Sequence, residues 1–584
     1  MDFVADVAAN APHKLDQFDL PPEAREWVST LIATLAQNVE KLAQSTAAER
    51  IATLKNQALV LELAHLRRMR FGAKSEALRA VHADLFDETQ SADVSAIESE
   101  MAVAAAEAAA NVATDQAAPR AAIKPKRIGA GRQALPAHLP RIEHRHDLAD
   151  TGNGGTCKCG ACGKPLTVIG EDISEQLDVT PAQFFVHRHI RPQYACRCCQ
   201  TVVAAPVPAA VVDGGMAAPG LISWVFTSKF VDHLPLYRVE QIAARAEVPL
   251  PRSTLSAWVG RYGVALTPLT DRLRTLLLQR SVLHADETPV QQLDPGNGKT
   301  HRAYLWAYCT GELADESPPL TSSSTSLASV NTTAPPIVIF DYQTGRSGAH
   351  ARTFLHGWRG HLMVDDYVGY KALFAPTPPT PQQESQRPSQ QRPTQVIELG
   401  CMAHARRKFF DLHVANSSPI ALAALNRIAV LYEIERRGQV MSPGDRSALR
   451  HAEAVPALAA MKAWLLSTRP RIANGSALAK AIDYSLRRWE TLSRYAASAH
   501  LPIDNNPIEN AIRPIAIGKK NWLFAGSERA GQRAAAIQSL FATAKKNNID
   551  PSAWLTDVLE KLPAWPNSRI DELLPLAGYR FGFG

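Results

Sequence analysis

Long apolar runs are missing from this chain. Nowhere in its 584 residues do about 18 apolar residues follow one another, so no membrane-spanning helix is expected. A basic start leading into an apolar stretch is missing too. The opening "MDFVADVAANAPHKLDQFDL" therefore gives no signal peptide, and a cytosolic address is expected. A strong charge excess is also absent. The net charge of +7 is small for this length, so bulk charge alone does not argue for a nucleic-acid partner. Hydrophobic residues at 46% and charged residues at 20% leave a soluble protein of several domains as the expected class.

The distribution of charge says more than its sum. Ala121 to Arg145 holds six Lys/Arg (Lys124, Lys126, Arg127, Arg132, Arg141, Arg145) against Glu143 alone. Asn510 to Lys546 holds seven Lys/Arg against Glu528 alone. Such clusters suit phosphates, and equally suit a solvated basic surface.

Residues 25–68 read as a long helix with leucines seven apart: Leu35 and Leu42, Leu54 and Leu61, Leu59 and Leu66. The register slips between the first pair and the rest, so an imperfect coiled coil is expected, with self-association favoured over packing on the chain's own core. The Ala-rich stretch after it reads as a linker. Two further segments, 317–336 and 375–395, are rich in Ser/Thr/Pro and Pro/Gln and read as insertions looped out of one domain. The expected divisions are a helical N-terminus (1–75), a linker (76–122) and a basic, zinc-binding segment (123–205). A helix-turn-helix-like region (206–275), a catalytic core (276–540, with a helical insertion at about 414–499) and a C-terminal helical element (541–584) follow.

Six of the eight cysteines cluster. "CGACG" supplies Cys159 and Cys162, and "CRCC" supplies Cys196 and Cys199. Each C-x-x-C sets two sulfurs on one knuckle, and a tetrahedral Zn²⁺ needs two knuckles. The segment between them alternates as a β-hairpin would, which brings the knuckles together. Cys157 and Cys198 are alternative ligands. Disulfides are the competing reading, disfavoured in a reducing compartment.

Residues 234–263 read as helix, turn, helix, the second helix opening near Ser253 or Thr254 and turning Leu255, Trp258 and Val259 inward. This suits a helix-turn-helix with Arg252, Ser253 and Thr254 toward DNA, or an ordinary helical hairpin.

Acids then recur at the ends of expected strands. "SVLHADETPV" reads as a strand ending in Asp286 and Glu287, and two more strands and a helix follow. "GHLMVDDYVGY" reads as a fourth strand ending in Asp365 and Asp366, and a fifth strand runs into "MAHARRKFFDLH". The third strand carries Asp341, expected to point away. A late helix opens in "LPIDNNPIENAIRP", with Asn506 expected at the cap, Pro507 in the first turn and Glu509 in a capping box. The order β-β-β-α-β-α-β-α is that of an RNase H-like fold, in which strands one and four are neighbours. Three carboxylates would then meet, a donor set for two hard ions such as Mg²⁺ or Mn²⁺ that promote in-line phosphoryl displacement. Taken singly, each acid reads as a turn or cap residue, and Asp504 is a further candidate.

The ordered blocks "LRRMRFGAKSE", "CGACGKPL … YACRCC", "LPLYRVEQIAA", "HADETPV", "FDYQTGRSGAH", "VDDYVGY", "MAHARRKF", "DNNPIENAIRPIAIGKKNWLFAGS" and "NNIDPSAWLTDVLEKLP" resemble the insertion-sequence-66 family of bacterial DDE transposases. The resemblance spans nearly the whole chain. It implies a transposase whose metal-binding triad Asp286, Asp365 and Glu509 cuts at element ends and joins 3′ hydroxyls to target DNA. Lys519, Lys520, Arg529, Arg533, Arg406 and Arg407 would meet phosphates. Trp522 and Phe524 are expected in the core rather than stacked on a base. The implied partners are terminal-repeat and target DNA, a second copy of the chain and accessory transposition proteins, in a nucleoid-associated cytoplasmic setting. Two positions depart from the family pattern: Asp366 stands where Gly or Ala usually follows the second acid, and Asn510 where Arg usually follows the third. The competing reading is a transposase-derived, DNA-binding regulator without catalytic activity.

Overall fold

The computed structural model describes residues 51–60, 96–102, 139–146, 167–180, 183–212, 214–294, 298–311, 334–375 and 395–582, with isolated positions before 51 and at 135 and 137. Cys157, Cys159, Cys162, most of both insertions and most of the linker lie outside them. The chain divides into two compact units: residues 1–134 with 256–264, and residues 135–255 with 265–584.

In the first unit, 51–60 is helical. Leu54 is buried there and Leu59 is exposed. The other coil leucines lie outside the described residues.

The second unit opens with a small sheet. β1 (Arg141–Arg145), β2 (Thr167–Thr180), β3 (Gln183–Ala195) and β4 (Val202–Ala204) assemble in the order β1-β3-β2, with β4 also on β3. β2 and β3 are the antiparallel pair expected between the cysteine knuckles. After β3 the chain turns tightly: Gln200 N donates to the Cys196 carbonyl and Cys196 N to the Thr201 carbonyl, and Gln200 has φ 56°. None of Cys196, Cys198 and Cys199 is in a disulfide. Arg141, at the end of the first basic cluster, donates to the Leu135, Ala137 and Leu139 carbonyls.

Helices α1 (Pro219–Phe226), α2 (Leu236–Arg245), α3 (Arg252–Ala265) and α4 (Thr267–Leu277) follow. The α2–α3 connection buries Val248 and Leu250, and Leu255, Trp258 and Val259 are buried as expected. Arg252 pairs with Glu240 of α2 at 2.8 Å, which ties the two helices together and draws its charge away from solvent.

The main sheet is built from β5 (Val282–Asp294), β6 (Lys299–Thr310), β7 (Val338–Gln343), β8 (Gly360–Val364) and β9 (Val396–Gly400), with α5 (Gly348–Phe354) between β7 and β8. Its order is β7-β6-β5-β8-β9, so the first and fourth strands are neighbours, parallel to each other. β5 does not end at its acids, as the sequence reading had it. It runs eight residues past Asp286, to Asp294, paired with β6 throughout.

Helices α6 (Met402–Asn416), α7 (Pro419–Gly438), α8 (Pro443–Leu449), α9 (Val455–Thr468), α10 (Ala477–Arg487) and α11 (Trp489–Ser493) form the expected helical stretch. Their apolar faces pack with Val282, Met363 and Leu399 of the sheet. Then come α12 (Asn506–Trp522), β10 (Phe524–Ala525), α13 (Glu528–Lys546) and α14 (Pro551–Lys561). Ile508, Ile512 and Ile515 lie on one face of α12 and pack with Val290, Leu305 and Phe340. Phe524 is buried and Trp522 packs beside the same cluster, which supports the core reading of both.

α13 covers the outer edge of β7. Ser539 Oγ accepts from Phe340 N at 2.7 Å, and Thr543 Oγ1 both accepts from Val338 N and donates to its carbonyl. These bonds satisfy the backbone groups that an edge strand leaves open. The helix approaches closely because Gly531 has no side chain: a Cβ there would land on the Tyr342 ring. That ring is fixed by its hydroxyl donating to Gln292 Oε1 at 2.9 Å. Gly531→Ala is therefore expected to lower stability by about 1–3 kcal/mol, the overpacking cost outweighing the gain in helix propensity. Urea unfolding followed by circular dichroism checks this; an unchanged midpoint would mean that the helix shifts freely.

Candidate active site

Asp286 lies on the central strand β5, and alternation sends Glu287 to the opposite face. Glu287 is buried and fully engaged: Arg346 donates from Nε at 2.8 Å and from Nη2 at 2.5 Å, and the Tyr370 hydroxyl donates at 2.9 Å. Asp341 is in register with Trp306, which is itself opposite Glu287, so Asp341 shares the Glu287 face and points away from Asp286, as expected. Of the two acids of "HADE", Asp286 is the one with no hydrogen bond to another side chain among the described residues; its Oδ1 accepts from Glu287 N at 2.8 Å.

Parallel pairing matches Leu283 with Leu362 and His284 with Met363. The ladder ends there; Asp286 follows two residues on along β5, and Asp365 comes just after the last residue of β8. The pair Asp365/Asp366 is also resolved by partners. Asp366 receives Lys371 at 3.0 Å and an ion pair from Arg488. Burial opposes its ionisation, but the Lys371 hydrogen bond and the Arg488 charge outweigh it and hold the carboxyl below the usual range. Among the described residues Asp365 forms no ion pair with a side-chain cation; its Oδ1 accepts from Tyr367 N at 2.8 Å, closing a turn beyond β8. Arg488 donates to its backbone carbonyl at 3.1 Å, which fixes that turn.

The helix carrying Glu509 starts one residue earlier than the sequence reading. The cap is Asn505, not Asn506, and it makes no capping bond through its side chain. Instead Asp504 receives Asn506 N at 3.0 Å and the Tyr432 hydroxyl at 2.8 Å. Asp504 is thus a buried structural acid, and Glu509 makes no capping-box bond. Among the described residues the Glu509 carboxylate is approached by the His404 ring, Nδ1 at 3.7 Å, and by the Arg407 guanidinium at 3.8 Å.

Asn505 is the residue that sequence reasoning missed. Its fully buried side chain accepts from His284 Nδ1 at 2.9 Å and donates to the Ala285 carbonyl at 3.0 Å. Its backbone N donates to Cys401 Sγ at 3.2 Å. Asn505 thereby ties the head of α12 through its side chain to the strand residues just before Asp286, and through its backbone to the start of α6. An Asn beside an Asn-Pro step reads locally as a cap, so only long-range pairing exposes this role.

Electrostatics ties the three acids together. The Asp286 carboxyl is pushed up to about 8, first by burial and then by the charge of Glu287, with Asp365 and Glu509 adding; the Glu287 amide works against them. Its folded value lies above its unfolded value of about 4, so the stability this group contributes is full below pH 4 and lost as pH rises through 8. Metal-free protein is expected to lose melting temperature between pH 5 and 8, and Asp286→Asn to reduce that loss. Added Mg²⁺ should restore the wild type and leave the variant unmoved. Differential scanning fluorimetry with chelator or Mg²⁺ checks this; identical pH slopes for the two proteins would contradict the assignment.

Cys401 Sγ, a His404 ring nitrogen and a Glu509 oxygen also lie within 4.8 Å of one another. Burial pushes the Cys401 thiol up to about 12, and its sulfur accepts from Asn505 N at 3.2 Å.

Of the expected phosphate contacts, Lys520 and Arg406 are exposed. Arg407 faces Glu509. Lys519 Nζ donates to the Pro289 carbonyl at 2.8 Å, and Arg529 is half-buried. Arg533 is buried on α13, which removes it from the exposed phosphate-binding set. The local charge count did not reveal this.

Comparison with known families places the chain among transposases. Residues 214–533 match the model described as "Transposase IS66 family", 156–200 the zinc-finger binding domain of transposase IS66, and 539–576 the IS66 C-terminal element. Residues 58–143 match "Transposase C of IS166 homeodomain". The chain belongs to the IS66 transposase family. Among its relatives, the uncharacterized proteins y4jD and y4qI of Sinorhizobium fredii are 34% and 33% identical to it. The match to y4jD covers 88% of this chain and 93% of that protein; the match to y4qI covers 93% and 92%.

Proposed function

We propose that the protein is an active DDE transposase with an RNase H-like core, Asp286, Asp365 and Glu509 being its catalytic carboxylates. The observation that carries this reading is the convergence of three acids, from β5, just past β8 and α12, none in a hydrogen bond to another side chain among the described residues, felt in the raised Asp286 carboxyl. Like charges are costly to gather in a half-buried site unless cations offset them. An all-oxygen, multiply negative donor set fits Mg²⁺ or Mn²⁺, held by these three carboxylates. Such ions would neutralise charge developing at the phosphorus and on the departing oxygen.

The chain's own residues divide the remaining work. Asn505 and His284 fix the spacing of α12 from β5. Arg346 and Tyr370 immobilise Glu287, and Arg488 and Lys371 draw Asp366 aside. Lys520, Arg406, Arg407 and Arg529 would lie along the DNA backbone, with Arg252, Ser253 and Thr254 of the helix-turn-helix-like region binding elsewhere on it. Water attacks the phosphodiester at the element end and releases a 3′ hydroxyl, which then attacks a target phosphodiester. Cys159, Cys162, Cys196 and Cys199 would hold a structural Zn²⁺. The domain divisions of the sequence reading, self-association through the N-terminal helix, accessory transposition proteins and a nucleoid-associated cytoplasmic setting complete the reading.

The test uses a supercoiled plasmid carrying the element's terminal repeats, with Mg²⁺. Sequenced products should contain element 3′ ends joined to target DNA. Binding without cleavage would instead mark a DNA-binding regulator, and cleavage without joining a hydrolytic nuclease.

A further inference from the structure

We infer that the small sheet carries a second metal site, a histidine site for a divalent late transition-metal ion, separate from the cysteine knuckles and from the acidic cluster. Two H-x-H sequences build it, "EHRH" on β1 and "VHRH" on β3. Alternation along a strand puts both imidazoles of each on one face. The parallel β1–β3 pairing sets His144 opposite His189, so all four rings share that face.

The four form two pairs. His144 Nε2 lies 2.7 Å from His187 Nδ1, and His146 Nε2 lies 2.9 Å from His189 Nδ1. Each β3 histidine is oriented from β2 through its other nitrogen. His187 Nε2 meets Asp178 Oδ2 at 2.7 Å, and His189 Nε2 meets Gln176 Oε1 at 3.2 Å. An acceptor on Nε2 fixes the N–H there and leaves Nδ1 with its lone pair directed at the partner ring. This is how proteins set the tautomer and raise the basicity of a metal-ligating histidine. Asp178 is itself held, its Oδ1 accepting from Val179 N at 2.8 Å.

At these distances each pair is joined by an N–H···N hydrogen bond, the β3 Nδ1 lone pair accepting the proton of the β1 Nε2. A divalent ion would take the place of that shared proton, with the β1 ring in its other tautomer, and imidazole nitrogen suits Ni²⁺, Cu²⁺ and Zn²⁺ alike. The pairs are adjacent: the His144 and His189 rings stack with centroids 5.2 Å apart.

The test is equilibrium dialysis of the full-length protein, with its own zinc in place, against Ni²⁺, followed by metal analysis. Wild type should retain at least one Ni²⁺ beyond its zinc. His144→Gln/His187→Gln should weaken retention by at least about tenfold while zinc content stays constant. Asp178→Asn keeps the size of the side chain and touches no metal, and should weaken Ni²⁺ by about 10–100-fold. If the double variant misfolds, the Asp178→Asn titration decides. Absence of extra Ni²⁺ in the wild type, or retention unaffected by Asp178→Asn, would overturn the proposal.

Discussion

Glu509→Gln is expected to lower single-turnover cleavage at element ends by at least about a thousandfold, with DNA binding within about twofold. That loss corresponds to about 4 kcal/mol of transition-state stabilisation, the scale on which removal of a charged group from such a site is felt. The substitution keeps shape and removes charge. It should not disturb the fold, because α12 is held by Ile508, Ile512 and Ile515 and its first turn is closed by Asp504 rather than by Glu509. Loss of one negative charge beside Asp286 should, if anything, raise the melting temperature of metal-free protein. Rapid-quench cleavage and gel-shift titration on the same preparation separate the two quantities. Cleavage at the wild-type rate would remove Glu509 from the site.

Asn505→Ala should have the second-largest effect, through position rather than chemistry. It strips the acceptor from buried His284 Nδ1 and the donor from the Ala285 carbonyl. Leaving buried polar groups unmet costs about 1–3 kcal/mol each, so a loss of about 2–5 kcal/mol in stability is expected. The strand carrying Asp286 and the helix carrying Glu509 would also lose their shared fixture. A displacement of about 1 Å in such a site costs about a hundredfold in rate. The signature of a positioning role is a fall in kcat with KM for end DNA nearly unchanged. Asn505→Asp retains the acceptor and loses the donor, and should fall between wild type and Ala. Equal losses in KM and kcat would point to general unfolding instead.

Much of this site was legible in the sequence, and the limits have physical causes. Acids at the ends of expected strands one and four become neighbours because the sheet runs β7-β6-β5-β8-β9, and the order of motifs already implied it. The choice between Asp365 and Asp366 was not legible. In the proposed reading it turns on Arg488, which pairs with Asp366 from 122 positions away in the chain. Glu287 looked equivalent to Asp286 until Arg346 and Tyr370 were seen to occupy it. The helix start was misplaced by one residue because Asn505 and Asn506 are equally good caps locally, and a buried partner on β5 claims the first. Arg533 read as a surface cation in a basic run, and α13 turns it inward. In each case a long-range partner, not a local propensity, decided which of two similar residues does the work.

The most direct test of the central claim is a strand-transfer assay. Oligonucleotide ends already carrying free 3′ hydroxyls are incubated with the full-length protein, target plasmid and Mg²⁺, comparing wild type with Asp286→Asn, Asp365→Asn and Asp366→Asn. Joined product is expected from wild type and, at reduced yield, from Asp366→Asn, and none from Asp286→Asn or Asp365→Asn. Joining by Asp286→Asn or Asp365→Asn at the wild-type rate would contradict the assignment of the catalytic carboxylates.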